Sequence, residues 1–223
     1  MKLSPSHTKL KIFLIFTIIL ILSSPLSGKE VVKGNEFDKL IQRLISDGFE
    51  KETIEPLFSN KNVLFTPEGV SSFFIHTESS LNYDQFISKK SIAAALEYIE
   101  TYKDELDRAQ KVYGVDKTII TAILLVETRL GTYLGKRIVI NTLSTMAALT
   151  DEALRERIWD SIPNKKKPKK EIFLKKVARR SKWGYAELKA LIKYTKQEGV
   201  APETLKGSYA GAMGISQFMP SNA

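Results

Sequence analysis

The sequence predicts a mainly α-helical fold with little or no β structure. Apolar residues recur at helical spacing through most of the chain after residue 35. Aspartates and glycines stand where such helices would begin and end. Only Asn60 to Asn82 shows mixed alternation, and it is read as loop or short extended pairing. At 223 residues, 43% of them hydrophobic, the chain can bury one substantial core.

The N-terminus reads as a secretory leader over residues 1–28. Lys2, Lys9 and Lys11 precede the apolar run Ile12 to Leu22, too short to span a bilayer comfortably but suited to a signal core. Cleavage is expected between Ser23 and Gly28, giving an exported, periplasmic protein with no stable membrane span. An uncleaved leader is the alternative, because Pro25 and Leu26 fit a small-residue cleavage site poorly. The chain has no cysteine, which excludes disulfides, thiolate chemistry and a lipoprotein anchor. Its two histidines, His7 and His76, are far apart, so neither a histidine metal site nor a Ser-His-Asp triad is expected.

Residues 29–90 form an N-terminal helical and irregular region, with Glu36 to Ser46 and Lys51 to Phe58 as its helices. Residues 91–223 form the main domain. A long amphipathic helix from Ser91 to Tyr113 should pack Ile92, Leu96, Tyr102 and Leu106 in one stripe and stop at Gly114. Asp116 then caps a helix running to Gly131, and shorter helices follow at Thr142 to Leu149 and Asp151 to Asp160. The run Lys165, Lys166, Lys167, Lys169 and Lys170, beside Pro163 and Pro168, reads as a solvated basic linker over 163–170. Helices at Glu171 to Arg180 and Tyr185 to Glu198 complete the set, the last ended by Gly199.

Within the Asp116 helix, Glu127 shares a stripe with Ile120, Ile123 and Leu124. A carboxyl there should be desolvated and lie near the negative end of the helix dipole, and both effects favour the protonated form. That is what a general acid for glycosidic cleavage requires. A structural glutamate paired with Arg129 or Lys136 is the competing reading. Near the end, Gly207 to Ser221 (GSYAGAMGISQFMPS) mixes small residues with the Ser208 hydroxyl, the Gln217 amide and the apolar Tyr209, Met213 and Phe218. A pyranose needs such a mixture of platform and polar groups, although the small-residue spacing also suits plain packing.

The stretches YGVDKTIITAILLVETRLGTYLG (Tyr113 to Gly135) and KGSYAGAMGISQFMPS (Lys206 to Ser221) together resemble the MltB-type lytic murein transglycosylases, of the lysozyme-like superfamily. The resemblance runs over Ser91 to Ser221. It implies a lysozyme-like helical domain that cleaves the β-1,4 bond from N-acetylmuramic acid to N-acetylglucosamine and leaves 1,6-anhydro ends. It matches Glu127 to the family's single catalytic acid/base, and Ser208 and Gln217 to positions that hold the sugar. Met213, Phe218 and Tyr209 fall in the same motif as shapers of the cleft. It implies no metal or organic cofactor, and peptidoglycan glycan strands as partner. Family members continue with further helices beyond the second motif, so the domain is expected to be incomplete at its C-terminal side.

The charge balance agrees with an anionic partner. Loss of residues 1–28 removes three lysines and no acids, so the formal charge falls from +9 to +6. Nucleic acid is not expected, because the chain is exported and has no aromatic-interleaved basic stretch or phosphate-cradling loop. The alternatives to the enzyme are a noncatalytic peptidoglycan-binding protein and a helical adaptor anchored at the inner membrane. Protein partners are not legible.

Overall fold

A computed structural model describes residues 35–75 and 82–223. The expected leader at 1–28, and His76, lie outside the described residues. The fold is mainly helical, and among the described residues its β structure is one two-stranded antiparallel ladder. No described helix is long and apolar enough to cross a membrane.

The first two helices follow the sequence pattern. Helix α1, Asp38–Ser46, buries Leu40, Ile41 and Leu44 at i, i+1 and i+4, and α2 is Lys51–Ser59. The next segment differs from expectation, because Pro67–Ile75 is a helix, α3, and not loop or paired strand. Proline in the first turn suits helix initiation, since its missing N–H would have had no intrahelical acceptor there. Val70 and Phe74, four apart, are both buried. Ahead of α3 the chain runs along a later helix, α7 (Val139–Ala147), and borrows its side chains. Asn141 accepts from Leu64 N at 3.1 Å and donates to Asn62 O at 2.9 Å, while the Thr145 hydroxyl accepts from Thr66 N at 2.9 Å. These buried polar side chains satisfy backbone groups that no strand partner reaches.

The single long helix expected from Ser91 to Tyr113 is two, α4 (Lys89–Thr101) and α5 (Lys103–Tyr113). Tyr102 leaves helical geometry at φ −108°, ψ 32°, and its ring lies 4.5 Å from Tyr98. The apolar stripe is mostly uncovered: Ile92 and Leu96 are exposed, and of that stripe Leu106 on α5 alone is buried. Gly114 ends α5 in the left-handed conformation, as its position suggested. Helix α6, Lys117–Thr128, begins where Asp116 accepts from Thr118 N at 2.7 Å.

The core centres on α7, all nine of whose residues are buried. Helix α8, Glu152–Ser161, is capped by Asp151 and buries Leu154 and Ile158. The two helices expected from 171 to 198 are one, α9, Lys170–Glu198. Gly184 lies in its middle and marks a close approach: a Cβ there would sit 2.6 Å from the Met146 Cβ on α7. Residues that pattern reasoning treats as a breaker thus let two core helices touch. Leu143, Leu188 and Leu191 are fully buried in the same core, and Phe173, nearer the start of α9, packs on Phe74 and Trp159, each side chain worth about 1.5–3 kcal/mol when fully buried. The same core takes Phe37, Ile54 and Phe74, so it draws on both sides of residue 90.

Candidate active site

Helix α6 stops abruptly. Arg129, Leu130 and Gly131 take positive φ values of 51°, 60° and 83° in succession, which swings the chain away from the helix axis. Two non-glycine residues in this region cost about 1–2 kcal/mol each. Thr128, 1% exposed, holds the turn in place. Its hydroxyl donates to Ile215 O at 2.8 Å and accepts from Gly131 N at 3.0 Å. One side chain therefore ties the end of α6 to the 207–218 segment.

A short ladder makes the second tie. Strand β1, Arg137–Ile138, pairs antiparallel with β2, Lys206–Gly207, in the register Arg137 to Gly207 and Ile138 to Lys206. Backbones press together beside it: a Cβ at Gly135 would lie 2.0 Å from Gly207 O, and Gly135 has φ +93°. Only glycine fits both demands.

These ties enclose a cleft of about 500 Å³. Glu127 borders it from α6, Tyr133, Lys136 and Arg137 from the loop leading into β1, and Ser208, Tyr209 and Gln217 from the segment after β2. Four of the six residues singled out in the sequence thus meet in one place. Met213 and Phe218 do not. Met213 is 6% exposed, belongs to the core and donates from its backbone N–H to Phe218 O at 2.9 Å. Phe218 is 54% exposed on a separate depression of about 230 Å³ with Tyr194, Leu205 and Ile215. An antiparallel bridge joins the two residues, and neither lines the cleft with Glu127.

Glu127 itself departs from expectation. The helical stripe implied a desolvated carboxyl, yet Glu127 is exposed, together with Ile119, Ile123 and Val126 on the same helix. Helix periodicity reports which side chains share a face; it does not report whether that face is covered. The competing pairing is also not found. Arg129 donates to Gln85 Oε1 at 2.7 Å, and among the described residues the Glu127 carboxylate has no hydrogen bond or ion pair.

The polar groups around it have defined work. The Ser208 hydroxyl accepts from Ala212 N at 3.1 Å and Ala210 N at 3.3 Å, and its backbone N–H donates to Ala212 O at 2.8 Å, so it shapes its own turn. Gln217 sits at φ +51°, and its Nε2 donates to Gly214 O at 2.9 Å, which leaves the amide oxygen as a free acceptor among the described residues. Tyr209 stands 5.7 Å from the Phe73 ring, which stacks at 6.1 Å on Trp183. Arg180 lies 4.3 Å over Phe73, and burial together with nearby Arg179 pulls its guanidinium below the ordinary value. At the far end of the motif, buried Glu187 of α9 accepts from Ser221 N at 3.0 Å and Ser221 Oγ at 2.9 Å.

Tyr133 and Arg137 also line the cleft without standing out in the sequence, where Lys136 reads only as a partner for Glu127. The usable signal was glycine. Gly131 and Gly135 bracket this loop, and Gly69 makes room for Arg137, whose Nη1 would lie 2.3 Å from a Cβ at that position. Two cations against one carboxylate give the cleft a positive lining suited to an anionic ligand.

Residues 33–223 match the model of the transglycosylase SLT domain family. The chain is 26% identical over 197 residues to membrane-bound lytic murein transglycosylase B of Escherichia coli (strain K12), covering 86% of this chain and 46% of that protein. It is similar to the crystal structure of soluble lytic transglycosylase SltB1 from Pseudomonas aeruginosa, with 27% identity and a TM-score of 0.63, over 82% of this chain and 54% of the other. SltB3 from the same organism, solved in complex with NAG-anhNAM-pentapeptide, is 21% identical with a TM-score of 0.62, over 84% and 44%; that likeness is one of fold. The chain spans about half the length of these relatives.

Proposed function

Because the chain belongs to the transglycosylase SLT domain family, we propose that it is a peptidoglycan lytic transglycosylase. It cleaves the β-1,4 bond from N-acetylmuramic acid to N-acetylglucosamine and leaves 1,6-anhydro-muramyl ends. The observation that carries this reading is the single carboxylate. Glu127 is the one acidic residue lining the cleft among the described residues, and it stands unpaired beside Ser208, Tyr209 and Gln217. Hydrolysis by the retaining or inverting route uses two carboxyl groups at a fixed separation. A one-carboxyl cleft suits chemistry in which one group acts twice.

Glu127 first donates its proton to the glycosidic oxygen as the bond to the muramyl C1 breaks. It then takes the proton of that sugar's C6 hydroxyl, whose oxygen closes on C1. Water takes no part. The Gln217 amide oxygen and the Ser208 hydroxyl, which line the cleft with Glu127, orient the acetamido group, and Tyr209 lines the cleft beside them. Lys136 and Arg137 attract the carboxylates that muramyl peptides carry. On this reading the leader expected at 1–28 exports the chain to the periplasm.

The test is digestion of purified sacculi with release of muropeptides followed by mass spectrometry. Anhydro-ended products that vanish in Glu127→Gln support the reading, and reducing-end products would reject it. A second reading has its own observation. Glu127 is exposed, whereas a general acid works best when desolvated. A chain that binds sacculi and releases nothing is a noncatalytic peptidoglycan-binding protein.

A further inference from the structure

Outside the cleft, the strongest unassigned feature is basic. Between residues 163 and 182 the chain carries ten lysines and arginines against one acid, Glu171. Part of this reads in the sequence as a solvated linker, but the segment is structured. Asn164–Lys166 forms a 3-10 turn and α9 starts at Lys170. On the first turns of α9, Phe173, Val177, Ser181 and Gly184 face the core. Ile172, Lys175, Arg179 and Lys182 follow one another at spacings of three and four on the opposite side. Lys170 pairs with Glu156 and Lys175 with Glu171, while among the described residues Lys165, Lys166, Lys169, Arg179 and Lys182 have no ion pair.

We infer that this face docks on an anionic lipid bilayer. Two observations favour a bilayer over an anionic glycan. Aliphatic side chains are interspersed with the cations, Ile172 at 46% and Leu174 at 40% exposure. Such side chains enter the headgroup boundary while lysine stems reach back to the phosphates. The aromatic ring nearest the cluster is also closed to sugar stacking. Lys170 Nζ lies 4.4 Å and Lys167 Nζ 5.2 Å from the Trp159 ring, so ammonium groups occupy the place a pyranose would take. Cations interspersed with exposed aliphatic groups are the composition of an interfacial surface. The inference stands on this face alone and does not depend on the reaction at Glu127.

The experiment is flotation of the full chain with vesicles of phosphatidylglycerol and phosphatidylcholine, compared with phosphatidylcholine alone. The test variant replaces Lys165, Lys166, Lys169 and Lys182 with Gln. The control removes equal charge elsewhere, at Lys61, Lys89, Lys90 and Lys111, all exposed. The apolar leader is common to all three proteins, so it cancels between them. Each lysine at an anionic surface contributes about fivefold to partitioning, so the test variant should lose at least tenfold even with screening by salt. The control should stay within about twofold of wild type on the same scale. Ile172→Ser should lose severalfold with the charge intact. Equal binding by wild type and the test variant would overturn the proposal, as would an equal loss in the control or no preference for phosphatidylglycerol. Charge-dependent binding to sacculi in the absence of vesicle binding would reassign the face to an anionic glycan.

Discussion

Replacing Thr128 with valine tests how the acid-bearing helix is held against the 207–218 segment. Valine has nearly the shape and the helix propensity of threonine, so the change removes a hydroxyl and little else. Ile215 O loses its donor and Gly131 N its acceptor. An unsatisfied buried backbone group costs about 1–3 kcal/mol, and Gly131 is only half-buried, so the sum is about 2–4 kcal/mol. For a domain of this size each kcal/mol shifts Tm by about 2–4 °C, which gives a fall of roughly 4–16 °C. Thermal denaturation followed by circular dichroism measures this, and muropeptide release from sacculi should fall as well because the two halves of the cleft come apart. Thr128→Ser keeps both hydrogen bonds and should retain most of the stability and the activity. A Thr128→Val protein that melts within about 1 °C of wild type and digests sacculi at the same rate would refute the reasoning.

Other expectations follow from the same geometry. Gly184→Leu should destabilise by about 3 kcal/mol or more in urea denaturation, because even the first carbon meets Met146 at 2.6 Å and better helix propensity returns only about 1 kcal/mol. Glu187→Ala should cost about 2 kcal/mol and accelerate hydrogen exchange at the Ser221 amide, which loses its acceptor; unchanged exchange would remove Glu187 from the support of the motif. Burial, and then the hydrogen bond to Asp47, push the Tyr185 hydroxyl up from 10.0 to about 12. Ionisation held back in the folded state stabilises it below pH 10, and that contribution is lost as pH rises through about 12, so denaturation midpoints should fall between these values in wild type and stay flatter in Tyr185→Phe.

Local chemistry was legible in the sequence where a residue acts alone. Asp116 as an N-cap, and Gly114 and Gly199 as helix ends, follow from side-chain hydrogen bonding and backbone freedom without tertiary help. Four cleft residues, Glu127, Ser208, Tyr209 and Gln217, were legible as one site because two motifs carried them. What escaped depends on neighbours. Gly184 reads as a break until Met146 is seen against it, and Tyr102 reads as part of a stripe until the helix stops there. Glu127 reads as buried until its face proves uncovered, and Met213 reads as a ligand contact although it belongs to the core. Arg137 enters the cleft through a two-residue strand whose pairing with Gly207 lies 70 residues away in sequence, beyond the reach of any local pattern.

The most direct test of the single-carboxylate mechanism is digestion of sacculi in water enriched in ¹⁸O, with the new muramyl ends read by mass spectrometry. If Glu127 passes the C6 hydroxyl proton and the ring closes on itself, the released ends carry the anhydro mass and no ¹⁸O. Muramyl ends heavier by one incorporated ¹⁸O would mean that water is the nucleophile, and the account of Glu127 would be wrong.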